Sequence, residues 1–243
     1  MKQLLITIAA VVLVGCGESQ QSTPQAEPVA EASTPEPPTV KAPDISIEDA
    51  AREGNIEAVK QHLASGADVN GESEYGITPM KGTPLHQAVS QERHEIIELL
   101  IAKGANVNVR DMLFTLTPLD WAVKLNKTET IKLLQKHGGK SSAEDSIHMA
   151  AKLGNFEAVK KHLDAGADIN STEEGLLETP LDFTEEINAN SNALLKSVGL
   201  PEDTVEIKAA KKEIANFLRK RGGKHSSIYE AAKGGDLEGI KEF

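Results

Sequence analysis

The sequence predicts an all-α solenoid, a stack of short helix pairs joined by finger-like loops. Three observations carry this expectation. One phrase, Thr83-Pro-Leu-His-Gln-Ala-Val followed by an apolar stripe and Gly104-Ala-Asn-Val-Asn, returns along the chain at a spacing of about 33 residues. The apolar residues within each copy follow the i, i+3, i+4 period of a helix rather than the alternation of a strand. Each copy is bounded by helix-starting and helix-ending residues. A unit of this size cannot bury a core alone, so neighbouring copies must stack.

The residues at 83–110 show why each type stands where it does. Thr83 suits a helix N-cap and Pro84 the first helical site, where a missing N–H costs nothing. Leu85, Ala88 and Val89 form the inward face of that helix, with Ala88 small where two helices approach closely. Ile96, Ile97, Leu99 and Leu100 give a second helix its apolar stripe. Gly104 supplies the left-handed residue that ends it, and the polar residues 106–110 leave the stack as a finger. Ala50, Ala122, Ala150, Thr184 and Ala231 align with Ala88, which places six copies of the frame on the chain.

The phrase Thr83-Pro-Leu-His, its near matches at Thr117 and Thr179 with Asp in place of His, and the closing Gly-Ala-Asx-(Val/Ile)-Asn at Gly66, Gly104 and Gly166 resemble the ankyrin repeat. The resemblance implies recognition of a protein partner through finger tips and the concave side of the first helices. Carried onto this frame, the partner-binding positions are Gln87, Ser90 and Gln91, then Trp121, Lys124 and Leu125, then Met149, Lys152 and Leu153, and Phe183 in the fifth unit. Tyr75 lies in a finger lengthened to 71–82, and Met112, Leu113 and Phe114 form an apolar finger without an obvious core duty. Trp121 is singled out because the matching positions hold Gln87 and Met149, so the frame itself does not demand an indole.

From the N-terminus, residues 1–15 read as a signal peptide: Lys2 is followed by an apolar run from Leu4 to Val14 too short to span a bilayer. Leu13-Val14-Gly15-Cys16 resembles the bacterial lipobox, which implies that Cys16 is acylated and anchors the chain to a membrane. Cys16 is the only cysteine, so no internal disulfide exists. Residues 16–44, with Pro24, Pro28, Pro35, Pro37 and Pro38 among polar side chains, read as an extended linker. Three units then occupy 45–140 and two occupy 145–224, the latter with an insertion at 189–210 whose Pro201-Glu-Asp suggests a restarted helix. Units three and five close on Gly138-Gly139-Lys140 and Gly222-Gly223-Lys224 in place of the usual finger, and read as local terminators. The short finger after Gly139 is expected to bend or split the stack between the two blocks. Residues 226–243 open an incomplete unit that stops inside its second helix, so the sequence reads as part of a longer chain.

A net charge of −11 disfavours nucleic acid, which needs clustered Lys and Arg. The one locally basic stretch, Lys208 to Lys224, lacks aromatic interleaving. His86 and His148 share one frame position and His62 and His162 another, so equivalent copies lie a stacking unit or more apart; no metal site is expected. No Gly-x-Ser-x-Gly elbow and no phosphate-cradling glycine loop occurs, which argues against an enzyme and against a cofactor. The expected function is therefore a membrane-tethered interaction scaffold of the bacterial cell envelope with an unidentified protein partner. The alternative is a ligand-binding or regulatory subunit that modulates an envelope enzyme.

Overall fold

The computed structural model describes residues 43–72, 82–172, 177–184, 202–241 and 243. The described residues form eleven α-helices and no strand. They pair in chain order: α1 (Ile47–Glu53) with α2 (Ile56–Ala64), α3 (Pro84–Ser90) with α4 (His94–Ala102), α5 (Pro118–Lys124) with α6 (Thr128–Lys136), and α7 (Ile147–Lys152) with α8 (Phe156–Asp164). The fifth unit contributes a 3₁₀ turn, Asp182–Thr184, and the longer α9 (Val205–Lys220); α10 (Ile228–Lys233) and α11 (Leu237–Ile240) follow. The helix in the insertion thus begins at Val205, where the Thr204 hydroxyl caps Ile207 N–H, rather than at Pro201. None of the described helices is long and apolar enough to cross a membrane.

Local chemistry explains the boundaries. Ser46, Asn55, Thr117, Ser146 and Asn155 each accept a hydrogen bond from a backbone N–H in the first turn they precede. Thr83 sits at an N-cap as the sequence suggests, but its hydroxyl turns to His86 Nδ1 at 3.0 Å and caps no backbone N–H. Between the two helices of a unit the chain passes through one residue in the left-handed region, which is Gly54, Glu92, Asn126, Gly154 or Gly235. At Gly154 glycine is needed twice over: φ is +69°, and an added Cβ would lie 3.3 Å from the Ile207 carbonyl oxygen where α9 crosses the turn.

The core follows the frame. Ala50, Ala88, Ala122, Ala150 and Ala231 are fully buried at the crossings of the first helices, as the need for a small side chain there requires. Ile97, Leu100, Leu134, Val59, Val159, Ile214 and Leu218 fill the space beneath the second helices. One buried cluster runs from Ile47 to Leu134 and includes Met149; a second runs from Ala143 to Leu218, and Leu153 packs against both.

Two kinds of junction join the units. Where a unit ends in a finger, its last asparagine clamps the end of the next second helix. Asn70 donates to Gly104 O and accepts from Asn106 N–H, Asn108 donates to Gly138 O and accepts from Lys140 N–H, and Asn170 donates to Gly222 O and accepts from Lys224 N–H. One side chain thereby satisfies a donor and an acceptor that a helix end leaves open. After Gly139 and Gly223 there is no such asparagine, and an aspartate takes over. Asp120 accepts from Thr117 N–H, Ser141 Oγ and both Ser142 N–H and Oγ; Asp182 accepts from Thr179 N–H and Ser226 N–H and faces His225 Nδ1. The change from Thr-Pro-Leu-His to Thr-Pro-Leu-Asp is therefore a change of junction chemistry.

Candidate interaction surface

The finger after the second unit is built around one buried carboxylate. Asp111 Oδ1 accepts from the N–H groups of Leu113 and Phe114 at 3.0 and 2.6 Å, and Oδ2 accepts from Leu116 N–H at 3.2 Å. Trp121 Nε1–H completes the set by donating to Asp111 Oδ2 at 2.8 Å. Paired in this way, a buried carboxylate costs little and holds the loop in one shape. His86 lies beneath, its ring tilted against the indole with centroids 5.0 Å apart. Burial pushes the His86 imidazole down to about 4, against the pull of Asp111, the Leu116 carbonyl and Asp120. The neutral ring fits its contacts, with Nε2–H donating to Leu116 O at 3.2 Å and Nδ1 accepting from the Thr83 hydroxyl.

What this frame presents outward is apolar. Met112 is 78% exposed and Leu113 39%, while Phe114 folds back against the core. The Phe114 carbonyl accepts from Lys152 Nζ at 3.3 Å, and Arg110 pairs with Asp145, so the finger is also tied to the fourth unit.

Several positions expected to touch a partner stand elsewhere. Trp121 is 1% exposed and serves the finger from within. Gln87, Ser90 and Met149 are buried: the Ser90 hydroxyl donates to Gln87 O at 2.8 Å, and Met149 belongs to the first core cluster. Lys124 is buried as well, with its ammonium on Asp203, which also holds Lys211. These are corrections to the surface expectation, and their common cause is that the inner faces of the first helices pack into the stack. Lys152 and Phe183 are partly buried, the latter edge-on to His148 with centroids 5.7 Å apart. Of these expected positions, Gln91, Met112 and Leu113 are the described ones that face outward. Tyr75 and Cys16 lie outside the described residues. Sequence reading missed Asp111, Asp120 and Asp203; the Asp in Thr-Pro-Leu-Asp was visible, whereas nothing in the local sequence pairs Lys124 with a carboxylate in the insertion. Among the described residues no cluster of His, Cys, Asp and Glu has the arrangement of a metal site.

Comparison with known proteins gives the repeats their name. The family model of ankyrin repeats matches residues 47–145 in three copies. Over 136 residues, 54% of the chain, the sequence is 35% identical to an ankyrin repeat protein of Fowlpox virus, of which it covers 30%. It is 35% identical over 96 residues, 40% of the chain, to the RelA-associated inhibitor of Mus musculus, and 32% identical over 112 residues, 43% of the chain, to the nuclear factor NF-kappa-B p105 subunit of Gallus gallus. It covers 11% of each of those two, so the chain spans well under half the length of these relatives. The fold is an all-α ankyrin solenoid, and its repeats imply interaction with a protein partner.

Proposed function

We propose that this ankyrin solenoid is a membrane-tethered scaffold of the bacterial cell envelope that holds a protein partner on the finger presenting Met112 and Leu113. The observation that carries the reading is the pairing of an exposed apolar tip with a rigid base: Asp111 and Trp121 order the loop before any partner arrives. A preorganised anchor loses little entropy on binding, and an exposed Met adapts to the surface it meets. Partner capture from solubilised bacterial envelopes tests this. The full chain retains a stoichiometric protein, and Met112→Asp weakens capture by about 2 kcal/mol without moving the unfolding midpoint, as expected of an interface anchor. Equal capture by both, or no capture by either, overturns it.

The tether rests on Leu13-Val14-Gly15-Cys16 and on the proline-rich residues 16–44, which at about 3 Å per residue would let the repeats reach several nanometres from the bilayer. In a bacterial host fed radiolabelled palmitate, the wild-type protein takes up label and sediments with membranes, and Cys16→Ser does neither. Label in the mutant at the wild-type level rules the anchor out.

A further inference from the structure

The junction between the third and fourth units carries a cleft. No asparagine clamp spans it, and a 3₁₀ turn, Ser142–Glu144, stands between the paired helices on either side. The insertion closes the third wall, because the start of α9 crosses the α7–α8 turn at Gly154. The result is a cleft of about 600 Å³, within the range of pockets that hold an organic ligand or a peptide side chain group. Its apolar lining comes from Leu119, Val123, Leu153, Phe156, Ile207 and Ala210. Phe156 is held edge-on to Phe217 with centroids 5.0 Å apart, so this wall is fixed.

The charged lining is four acids to one base. The single cation among the lining residues, Lys124, is buried and paired with Asp203, which it shares with Lys211. Asp120, Glu144, Glu157 and Glu206 are all acids. Asp120 is consumed by the junction, Glu157 pairs with Lys160, and Glu206 stands in the first turn of α9. Glu144 is exposed and has no ion-pair partner among the described residues. An apolar floor under an acidic rim repels lipid phosphate and nucleic acid alike, and attracts a cation that carries hydrocarbon.

We infer that this cleft is a second docking site on the scaffold, for a short segment of a protein partner in which Lys or Arg alternates with large aliphatic side chains. The inference rests on the scaffold reading but uses a different surface from the Met112 finger. The aliphatic side chains occupy the space between Val123 and Ile207, and the cationic heads reach the carboxylates of Glu144 and Glu206 at the mouth.

The test uses the full chain and three fluorescein-labelled synthetic peptides of equal length: one of alternating Leu and Lys, one with every Lys replaced by Glu, and one with every Leu replaced by Ser. The Leu/Lys peptide binds, and each of the others binds at least about tenfold more weakly, the margin that one good anchor provides. Val123→Asp and Glu144→Lys each weaken the Leu/Lys peptide by about tenfold, while Glu98→Lys, the same charge change on an exposed residue of α4, leaves it unaltered. Val123 is 43% exposed and Glu144 lies on the surface, so unchanged unfolding midpoints verify that the variants fold. Absence of binding to the folded wild-type chain, or an equal loss in Glu98→Lys, overturns the site. Envelope capture separates the two readings: a partner that depends on Met112 while the cleft binds no peptide sinks the cleft alone.

Discussion

Trp121→Ala lowers the stability of the chain by about 3–5 kcal/mol, in the range of other buried large-to-small aromatic changes. Two losses add. The indole is one of the largest fully buried side chains and packs between His86 and the apolar finger, so its removal leaves a cavity. Its N–H also leaves Asp111 Oδ2 with a single donor, from Leu116 N–H, in a place that water does not reach readily. Trp121→Phe separates the two, since it keeps most of the packing and removes only the hydrogen bond, at a cost of about 1–3 kcal/mol. Urea midpoints for both variants, with Met112→Ala as an exposed control, decide the matter. A midpoint for Trp121→Ala within error of the control shows that the indole is no part of the core and returns it to the binding surface.

The same residue shows what a sequence can and cannot convey about this fold. Helix starts, the buried alanines and the apolar stripes were legible because each depends on neighbours within one or two turns: Ser46 caps Asp49 N–H, and Ala50 and Ala150 repeat one crossing. Which side of a first helix meets water depends on the neighbouring units, and that was not legible. Trp121 does not recur at Gln87 or Met149 because the Asp111 finger does not recur; uniqueness signalled a unique structural partner as readily as a binding role. Lys124 has the composition of a surface residue and finds its carboxylate 79 positions away in the insertion. Met112 was legible for the opposite reason, since an apolar run between two helices that have already filled their faces has nowhere to pack.

The junction at the end of the fifth unit makes the sharpest demand on pH. Burial works against charge on Asp182, but hydrogen bonds from His225, Thr179 and Ser226 outweigh it and hold the carboxyl at about 2, below its ordinary value. His225 faces Asp182 Oδ1 through Nδ1 at 2.7 Å and Asp236 Oδ2 through Nε2 at 3.2 Å, and Arg219 reaches the same Asp236 oxygen at 2.6 Å. Asp182→Asn removes one partner of this buried set and costs about 3–5 kcal/mol at neutral pH. A carboxyl whose pKa falls on folding adds stability that is complete above its unfolded value near 4 and fades as the pH drops toward 2. The gap between wild type and Asp182→Asn in urea midpoints therefore narrows as the pH falls below about 4. Because α10 and α11 meet the fifth unit through Ser226, His225 and Asp236, their amides lose exchange protection first as acid protonates Asp182, ahead of those in α1 and α2, whose junction with the second unit is held by the Asn70 clamp. A gap of the same size at pH 2 and pH 7, or uniform loss of protection along the stack, contradicts an aspartate-based junction.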